Sequence, residues 1–191
     1  MHIRFATVKD TEALLNIYQQ YINTNITFEY VLPTKEDFSK RIRDITNFYP
    51  YLVAVENDRI IGYAYASKAF ERAAYDWCAD LSIYLDQNYR QHGLGRTLYT
   101  LTMEILKLQG FKTTFGIVTG TNNASIDFHT ALGFDKVGTF PCNGYKNHTW
   151  LDVIWFEKAL APYNDDPEAV KALSSLDNQQ IQALLTQAAK A

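Results

Sequence analysis

The sequence predicts an α/β protein in which a mixed sheet is covered by helices on both faces. Short β-runs and amphipathic stretches follow one another in the order β-α-α-β-β-β-α-β-α-β-β, without an internal repeat. Two β-runs are separated by the dipeptide Asn57-Asp58, which is typical of an antiparallel hairpin. A third β-run, residues 80–85, leads through a short polar turn into a helix. These observations place helices and strands in alternating layers of one fold.

The first third of the chain contains a strand and two helices. Residues 2–6 alternate between apolar and polar side chains, as a strand does. Thr7 and Asp10 form a capping pattern that opens the first helix. Its apolar stripe comprises Ala13, Leu14, Ile17, Tyr18, Tyr21 and Ile22. The polar segment 23–29 follows, and Thr34 opens the second helix.

The later elements follow from the same two periodicities. The predicted strands are 51–56, 59–67, 80–85, 113–118 and 150–157, and the predicted helices lie over residues 94–108 and 122–132. We expect one domain over residues 1–160. Residues 161–191 form a polar linker and a small amphipathic helix capped by Asp177. This helix has three possible fates: docking on the body, pairing with another subunit, or fraying.

Composition narrows the functional class. The chain has 191 residues, 47% of them hydrophobic and 20% charged, and a net charge of −3 without a block of Lys or Arg, so we expect no nucleic-acid partner. Cys78 and Cys142 show no CxxC spacing, which argues against a metal site and a disulfide framework. The N-terminus lacks an apolar signal region, and no run is long enough to span a membrane. We expect a cytoplasmic protein with no membrane partner.

The turn before the helix at 94–108 carries the first chemical signal, Arg90-Gln91-His92-Gly93-Leu94-Gly95. Glycines at the start of a helix let the backbone approach a ligand, and the unpaired N–H groups attract an anion such as a phosphate or pyrophosphate. The dinucleotide fingerprint fails because position 98 is Leu, and the Walker pattern lacks its Gly-Lys-Ser/Thr. The alternative is that the glycines serve only tight packing.

This Arg-x-x-Gly-x-Gly pattern after a strand resembles the pyrophosphate loop of the GCN5-related N-acetyltransferases (GNAT), which use acetyl-coenzyme A. The segment 72–85, with Arg-x-x-Tyr, a carboxylate and Ser-Ile-Tyr-Leu, resembles the phosphinothricin acetyltransferase branch. The resemblance covers residues 2–160 and implies a mostly antiparallel GNAT sheet, acetyl-coenzyme A as co-substrate and a homodimer. It implies no metal, because the thioester already carries an activated acetyl group.

The resemblance makes Asp80 the general base that deprotonates the acceptor amine. The branch has Glu at this position, so the shorter Asp favours a bridging water. The alternative for Asp80 is a strand-edge carboxylate that pairs with an Arg or faces water.

His129 lies in the segment 122–134, which resembles the family's Asn-x-x-Ser helix ending in Leu-Gly-Phe. The family often has a Tyr at this position, near the coenzyme sulfur, whereas the phosphinothricin branch has His. The resemblance therefore assigns His129 to assisting the departing thiolate, which suits a group that titrates near neutrality. The alternative is a packing role.

The resemblance also supplies the binding residues. Those assigned to the coenzyme are Ile83, Tyr84, Leu85, Arg90, Gln91, His92, Gly93, Leu94, Gly95, Arg96, Asn122 and Ser125. Those assigned to the acceptor are Phe28, Glu29, Arg72, Tyr75 and Lys146. An arginine can bind a carboxylate or phosphinate through two hydrogen bonds, although Arg72 has a solvated loop charge as its alternative.

The implied activity is transfer of acetyl from acetyl-coenzyme A to the α-amine of a small amino-acid-like acceptor. Phosphinothricin, methionine sulfoximine and methionine sulfone are acceptors of this type. A polyamine, an aminoglycoside or a peptide N-terminus is the alternative acceptor, although Arg72 argues against the cationic ones. A coenzyme-binding sensor without catalysis is the alternative from another class.

Overall fold

The computed structural model describes residues 1–89 and 93–188, which form five α-helices and one seven-stranded sheet. The strands are β1 (His2–Phe5), β2 (Tyr51–Glu56), β3 (Arg59–Lys68), β4 (Cys78–Leu85), β5 (Thr113–Thr119), β6 (Asp135–Lys146) and β7 (Thr149–Ala159). The helices are α1 (Thr11–Gln19), α2 (Lys35–Thr46), α3 (Leu94–Gln109), α4 (Asn123–Ala131) and α5 (Asn178–Ala188). No helix among the described residues has the length and apolar composition needed to cross a membrane.

The sheet order is β1-β2-β3-β4-β5-β7-β6, and every neighbouring pair is antiparallel except β4 and β5. This arrangement confirms the predicted mixed, mostly antiparallel sheet. Asn57 and Asp58 have φ angles of 50° and 59°, the left-handed pair that a tight β2–β3 turn requires. Asn147 and His148 make the same turn between β6 and β7, with φ angles of 51° and 61°.

Helices cover both faces of the sheet, as predicted. On one face α1 and α2 pack on β2 and β3, with Leu14, Ile42 and Tyr63 almost inaccessible to solvent. On the other face α3 packs on the same strands and α5 packs on α3 and β1, with Leu98 and Ile105 of α3 in the core. Because successive residues of a strand point to opposite faces, the first five residues of β2 are all buried.

The parallel pairing of β4 with β5 is unusually short. It extends only from Cys78 opposite Thr113 to Asp80 opposite Phe115. Beyond this point β4 continues to Leu85 paired with β3 alone, while β5 continues paired with β7. The two central strands therefore separate just after Asp80.

The C-terminal segment docks on the body of the chain. The Gln109 side chain, at the end of α3, donates to the Phe48 and Lys171 carbonyls at 2.7 and 2.8 Å. Helix α5 then packs along α3 and β1 and buries Ile181 and Leu185. Of the three fates open at the sequence level, docking is the one that the structure has.

We predict that Leu185→Ala lowers the free energy of unfolding by about 2–4 kcal/mol, because it opens a cavity between α5 and α3. Denaturant titration measures the change. Gln182→Ala, at an exposed position of the same helix, should stay within about 0.5 kcal/mol of the unsubstituted chain. Equal, negligible effects of the two substitutions would mean that α5 is not docked in solution.

Candidate active site

A cavity of about 550 Å³ lies where β4 and β5 separate. Leu81 and Ile83 line it from the α3 face of β4, and Ser82 and Tyr84 line it from the α1 face. Because these consecutive side chains alternate between the two faces, the cavity reaches both sides of the sheet. Two molecules entering from opposite faces can therefore meet inside the gap.

The gap-facing edge of β4 offers backbone hydrogen-bonding groups. The Leu81 carbonyl oxygen lies 3.5 Å from the Tyr99 hydroxyl, and the Leu85 carbonyl accepts from the Tyr21 hydroxyl at 2.5 Å. Backbone groups alternate between the two edges of a strand, so Ile83 also directs its N–H and C=O into the gap. Ile83 and Leu85 were predicted to bind the coenzyme in this way. Tyr84 lines the cavity with its side chain.

The predicted anion site is described in part. Arg90, Gln91 and His92 lie outside the described residues. Gly93 caps the start of α3 with a φ angle of 77°, a conformation that strains other residues. Gly93 and Gly95 both line the cavity. The first N–H groups of α3 therefore lie at the cavity edge, as an anion site requires.

The next residues of the predicted coenzyme site differ in their exposure. The Leu94 side chain is buried in the core, which leaves only its backbone for a ligand. Arg96 lines the cavity and donates to the Ala131 carbonyl at 3.3 Å. Asn122 caps α4 by accepting from the Ser125 N–H at 3.3 Å, and both residues line the cavity.

Asp80 occupies the last paired position before the strands separate. Its Oδ1 atom is buried and has no hydrogen-bond partner among the described residues. Burial raises the pKa of Asp80 to about 7, although the Leu81 amide opposes the shift. A carboxylate with this pKa can both take and release a proton near neutrality.

His129 is almost completely buried, with 3% exposure, on the opposite face of the gap from Asp80. Its Nδ1 atom lies 2.7 Å from the Ser125 carbonyl oxygen, and its Nε2 atom lies 2.9 Å from the Tyr99 hydroxyl. Burial lowers the pKa of the imidazole, and the Ser125 carbonyl partly offsets this. The ring fits only because residue 116 is Gly, since a Cβ there would lie 2.3 Å from Nε2.

Aromatic contacts bring the predicted acceptor residues Arg72 and Tyr75 toward Asp80. The Phe70 ring contacts the rings of Tyr75 and Phe115, with centroids 4.6 and 5.7 Å apart, and Phe115 is the register partner of Asp80. Arg72 caps the short 3-10 helix Ala73–Tyr75, and its side chain is exposed. Its guanidinium forms no ion pair with another described residue. It is therefore available to an anionic ligand.

Phe28 and Glu29 lie in the loop between α1 and α2. The Phe28 ring packs so closely on Gly144 that a Cβ there would lie 2.4 Å from it. Glu29 forms an ion pair with Arg41 at 2.6 Å through Oε1, while Oε2 is buried without a hydrogen-bond partner among the described residues.

Lys146, predicted to contact the acceptor, is engaged within the chain. Its side chain is buried, and its ammonium donates to the carbonyls of Ile22 and Thr27 at 2.7 and 2.6 Å. These two bonds hold the loop after α1 against β6. We therefore assign Lys146 to positioning this loop, and its contact with an acceptor stays a prediction from the sequence.

Sequence reasoning missed Tyr99. It lies on the buried side of α3, where a tyrosine is read as a core residue, and its partner His129 lies 30 residues further along the chain. The signal that could have found it is a buried hydroxyl, which needs a hydrogen-bond partner.

Comparison with known proteins places this chain in a family. The family model of the acetyltransferase (GNAT) domain matches residues 3–155. The phosphinothricin N-acetyltransferase of Streptomyces viridochromogenes is 33% identical over 159 residues, which cover 83% of this chain and 87% of that protein. An L-methionine sulfoximine/L-methionine sulfone acetyltransferase of Pseudomonas paraeruginosa is 28% identical over 86% of this chain and 98% of that protein.

Solved structures agree with the sequence comparisons. The phosphinothricin acetyltransferase of Sinorhizobium meliloti, solved in complex with acetyl-coenzyme A, superposes with a TM-score of 0.80 at 31% identity, covering 92% of this chain and 95% of that one. An N-acetyltransferase of Staphylococcus aureus superposes with a TM-score of 0.81 at 30% identity, covering 83% and 98% of the two chains. The chain belongs to the GNAT acetyltransferase family.

Proposed function

We propose that this protein transfers acetyl from acetyl-coenzyme A to the α-amine of a small amino-acid-like acceptor of the phosphinothricin or methionine sulfoximine type. The observation that carries the proposal is Asp80, a half-buried carboxylate with an unpartnered oxygen at the point where the strands separate. The names of the relatives support the acceptor class.

In this proposal the coenzyme and the acceptor bind on opposite faces of the sheet. The coenzyme lies on the α3 face, its phosphates at the start of α3 and its pantetheine arm along Ile83 and Leu85. The acceptor enters from the α1 face, where Arg72 binds its carboxylate. Asp80 takes a proton from the acceptor ammonium, directly or through a water, and the free amine then attacks the thioester carbon.

The first test is free-thiol release from acetyl-coenzyme A with phosphinothricin, methionine sulfoximine, methionine sulfone, spermidine and an aminoglycoside. We expect turnover with the first three. Arg72→Ala should raise the KM of these acceptors about 10- to 100-fold through the loss of a charged hydrogen bond, and leave the KM of acetyl-coenzyme A unchanged.

Two controls make the test of Arg72 specific. Arg43→Ala removes an exposed arginine from α2 and should leave every parameter unchanged. The methyl ester of methionine sulfoximine lacks the carboxylate, so Arg72→Ala should barely change its KM. Turnover of only the polyamine or the aminoglycoside would contradict the proposed acceptor class.

We predict that kcat/KM rises with pH through about 7, because Asp80 must lose its proton to act as a base. Asp80→Asn should lower kcat at least about 100-fold and keep the affinity for acetyl-coenzyme A, measured by calorimetry. A coenzyme sensor would instead keep its function after this substitution. Asp76→Asn, at an exposed neighbouring position, is the matched control.

Asp80→Asn should also stabilise the fold at high pH. Because burial raises the pKa of Asp80 from 3.8 to about 7, the folded state loses stability as pH rises between these two values. Asp80→Asn should therefore raise the free energy of unfolding at pH 8 by up to about 4 kcal/mol and change it little at pH 4. An equal change at both pH values would show that the carboxyl is not desolvated.

We further propose a homodimer. The β6–β7 hairpin exposes large apolar side chains, among them Phe140 at 48% and Trp150 at 63%, which is typical of a covered edge. Light scattering at micromolar concentration should give twice the chain mass of 21.9 kDa, and Trp150→Glu should shift the population toward monomer. A monomer of the unsubstituted chain would contradict the proposal.

A further inference from the structure

We propose that Tyr99 and His129 form a proton relay that carries the second amine proton from the acceptor nitrogen to the coenzyme sulfur. The inference rests on the proposed acetyl transfer and adds a catalytic residue, Tyr99, to it. It also places His129 behind Tyr99, so that Tyr99 and not His129 contacts the departing thiolate.

The hydrogen bonds of His129 fix the direction of the Tyr99 proton. A carbonyl oxygen only accepts, so the 2.7 Å contact of Nδ1 with the Ser125 oxygen places the ring proton on Nδ1. The Nε2 atom of a neutral ring then carries a lone pair and accepts from the Tyr99 hydroxyl at 2.9 Å. The Tyr99 oxygen keeps its own lone pairs for a donor in the cavity.

The Tyr99 oxygen lies where the two substrates meet. It is 3.5 Å from the carbonyl oxygen of Leu81, the residue that follows Asp80 on the gap-facing edge of β4. The charge of Asp80 raises the pKa of Tyr99, in addition to the larger effect of burial, because the two groups lie near each other. The alternation along β4 places the Asp80 side chain on the α1 face, together with Ser82, whereas Tyr99 lies in α3 on the other face.

Both ring nitrogens of His129 are engaged within the chain. The Nδ1 atom faces the Ser125 carbonyl, the Nε2 atom faces the Tyr99 hydroxyl, and the ring stacks on Phe156 with centroids 5.2 Å apart. Gly116 lies under the ring with no room for a Cβ. The imidazole is thus held rigidly, and a proton that arrives at Nε2 comes from the Tyr99 oxygen.

The proton balance of the reaction requires two transfers. Asp80 removes the first proton from the acceptor ammonium and releases it to solvent. After the amine attacks, its nitrogen is positively charged and gives a second proton to the Tyr99 oxygen, while the Tyr99 proton moves to Nε2 of His129. As the carbon–sulfur bond breaks, Tyr99 gives its proton to the departing sulfur and Nε2 of His129 returns its proton to the Tyr99 oxygen, so the coenzyme leaves as a thiol with Tyr99 and His129 restored.

The electrostatics of the pair suit a transient relay. Burial lowers the pKa of His129, so the ring is neutral at pH 7 and gives its extra proton back readily. Burial also raises the pKa of Tyr99 well above its ordinary value, so the phenol releases its proton only when it receives another.

The test is steady-state kinetics of Tyr99→Phe, His129→Gln and the double variant, with an acceptor that the unsubstituted protein turns over. We expect each single variant to lower kcat at least about 100-fold, with the KM of acetyl-coenzyme A unchanged. The double variant should be no slower than the slower single variant, because the two groups act as one unit. The solvent isotope effect should indicate that several protons move in the transition state of the unsubstituted protein, and that fewer move in that of Tyr99→Phe.

Tyr63→Phe is the matched control. Tyr63 is also fully buried, but its hydroxyl has no hydrogen-bond partner among the described residues and belongs to the other face of β3. Its removal should leave kcat unchanged. An unchanged kcat of Tyr99→Phe, or losses that multiply in the double variant, would overturn the relay alone. A protein that acetylates no amine would remove the proposed function as well.

Discussion

The active site depends on one constraint, the early end of the pairing between β4 and β5. A strand in the middle of a sheet normally satisfies its backbone groups on both edges. Here only three residue pairs join the two strands, and the pairing stops at Asp80. The edge beyond it is approached by two hydroxyls from opposite faces, that of Tyr21 in the turn after α1 and that of Tyr99 in α3. The gap is therefore supported from both sides and remains open to ligands.

Because the gap lies inside the core, the pKa values of the titratable groups beside it are shifted. The same loss of solvation raises the pKa of Asp80 and lowers the pKa of His129. Both shifts favour the neutral form, so neither group has a counter-charge of its own. A carboxyl that titrates near 7 and an imidazole that is neutral at that pH can take up and release protons, as the transfer of protons between an amine and a thiolate requires.

Local sequence signals predicted the elements well, because each of those signals acts over a few residues. Asn57-Asp58 fixes its hairpin through two left-handed residues, and Thr34 caps α2 by accepting from the Asp37 N–H. The roles of Lys146 and Tyr99 were not predictable in this way. Each depends on a partner at least 30 residues away in the chain, at Ile22 and Thr27 in one case and at His129 in the other.

Helix α3 connects these features to the C-terminal segment, which lies beyond the matched family region of residues 3–155. Its first turn borders the predicted anion site, its buried side holds Tyr99, and its last residue, Gln109, bonds to Lys171. Docking of α5 buries Ile181 and Leu185 against the same helix. A helix fixed at its end and along its length holds the Tyr99 hydroxyl at a constant distance from β4. The C-terminal segment, peripheral in sequence, therefore supports the precision of the site.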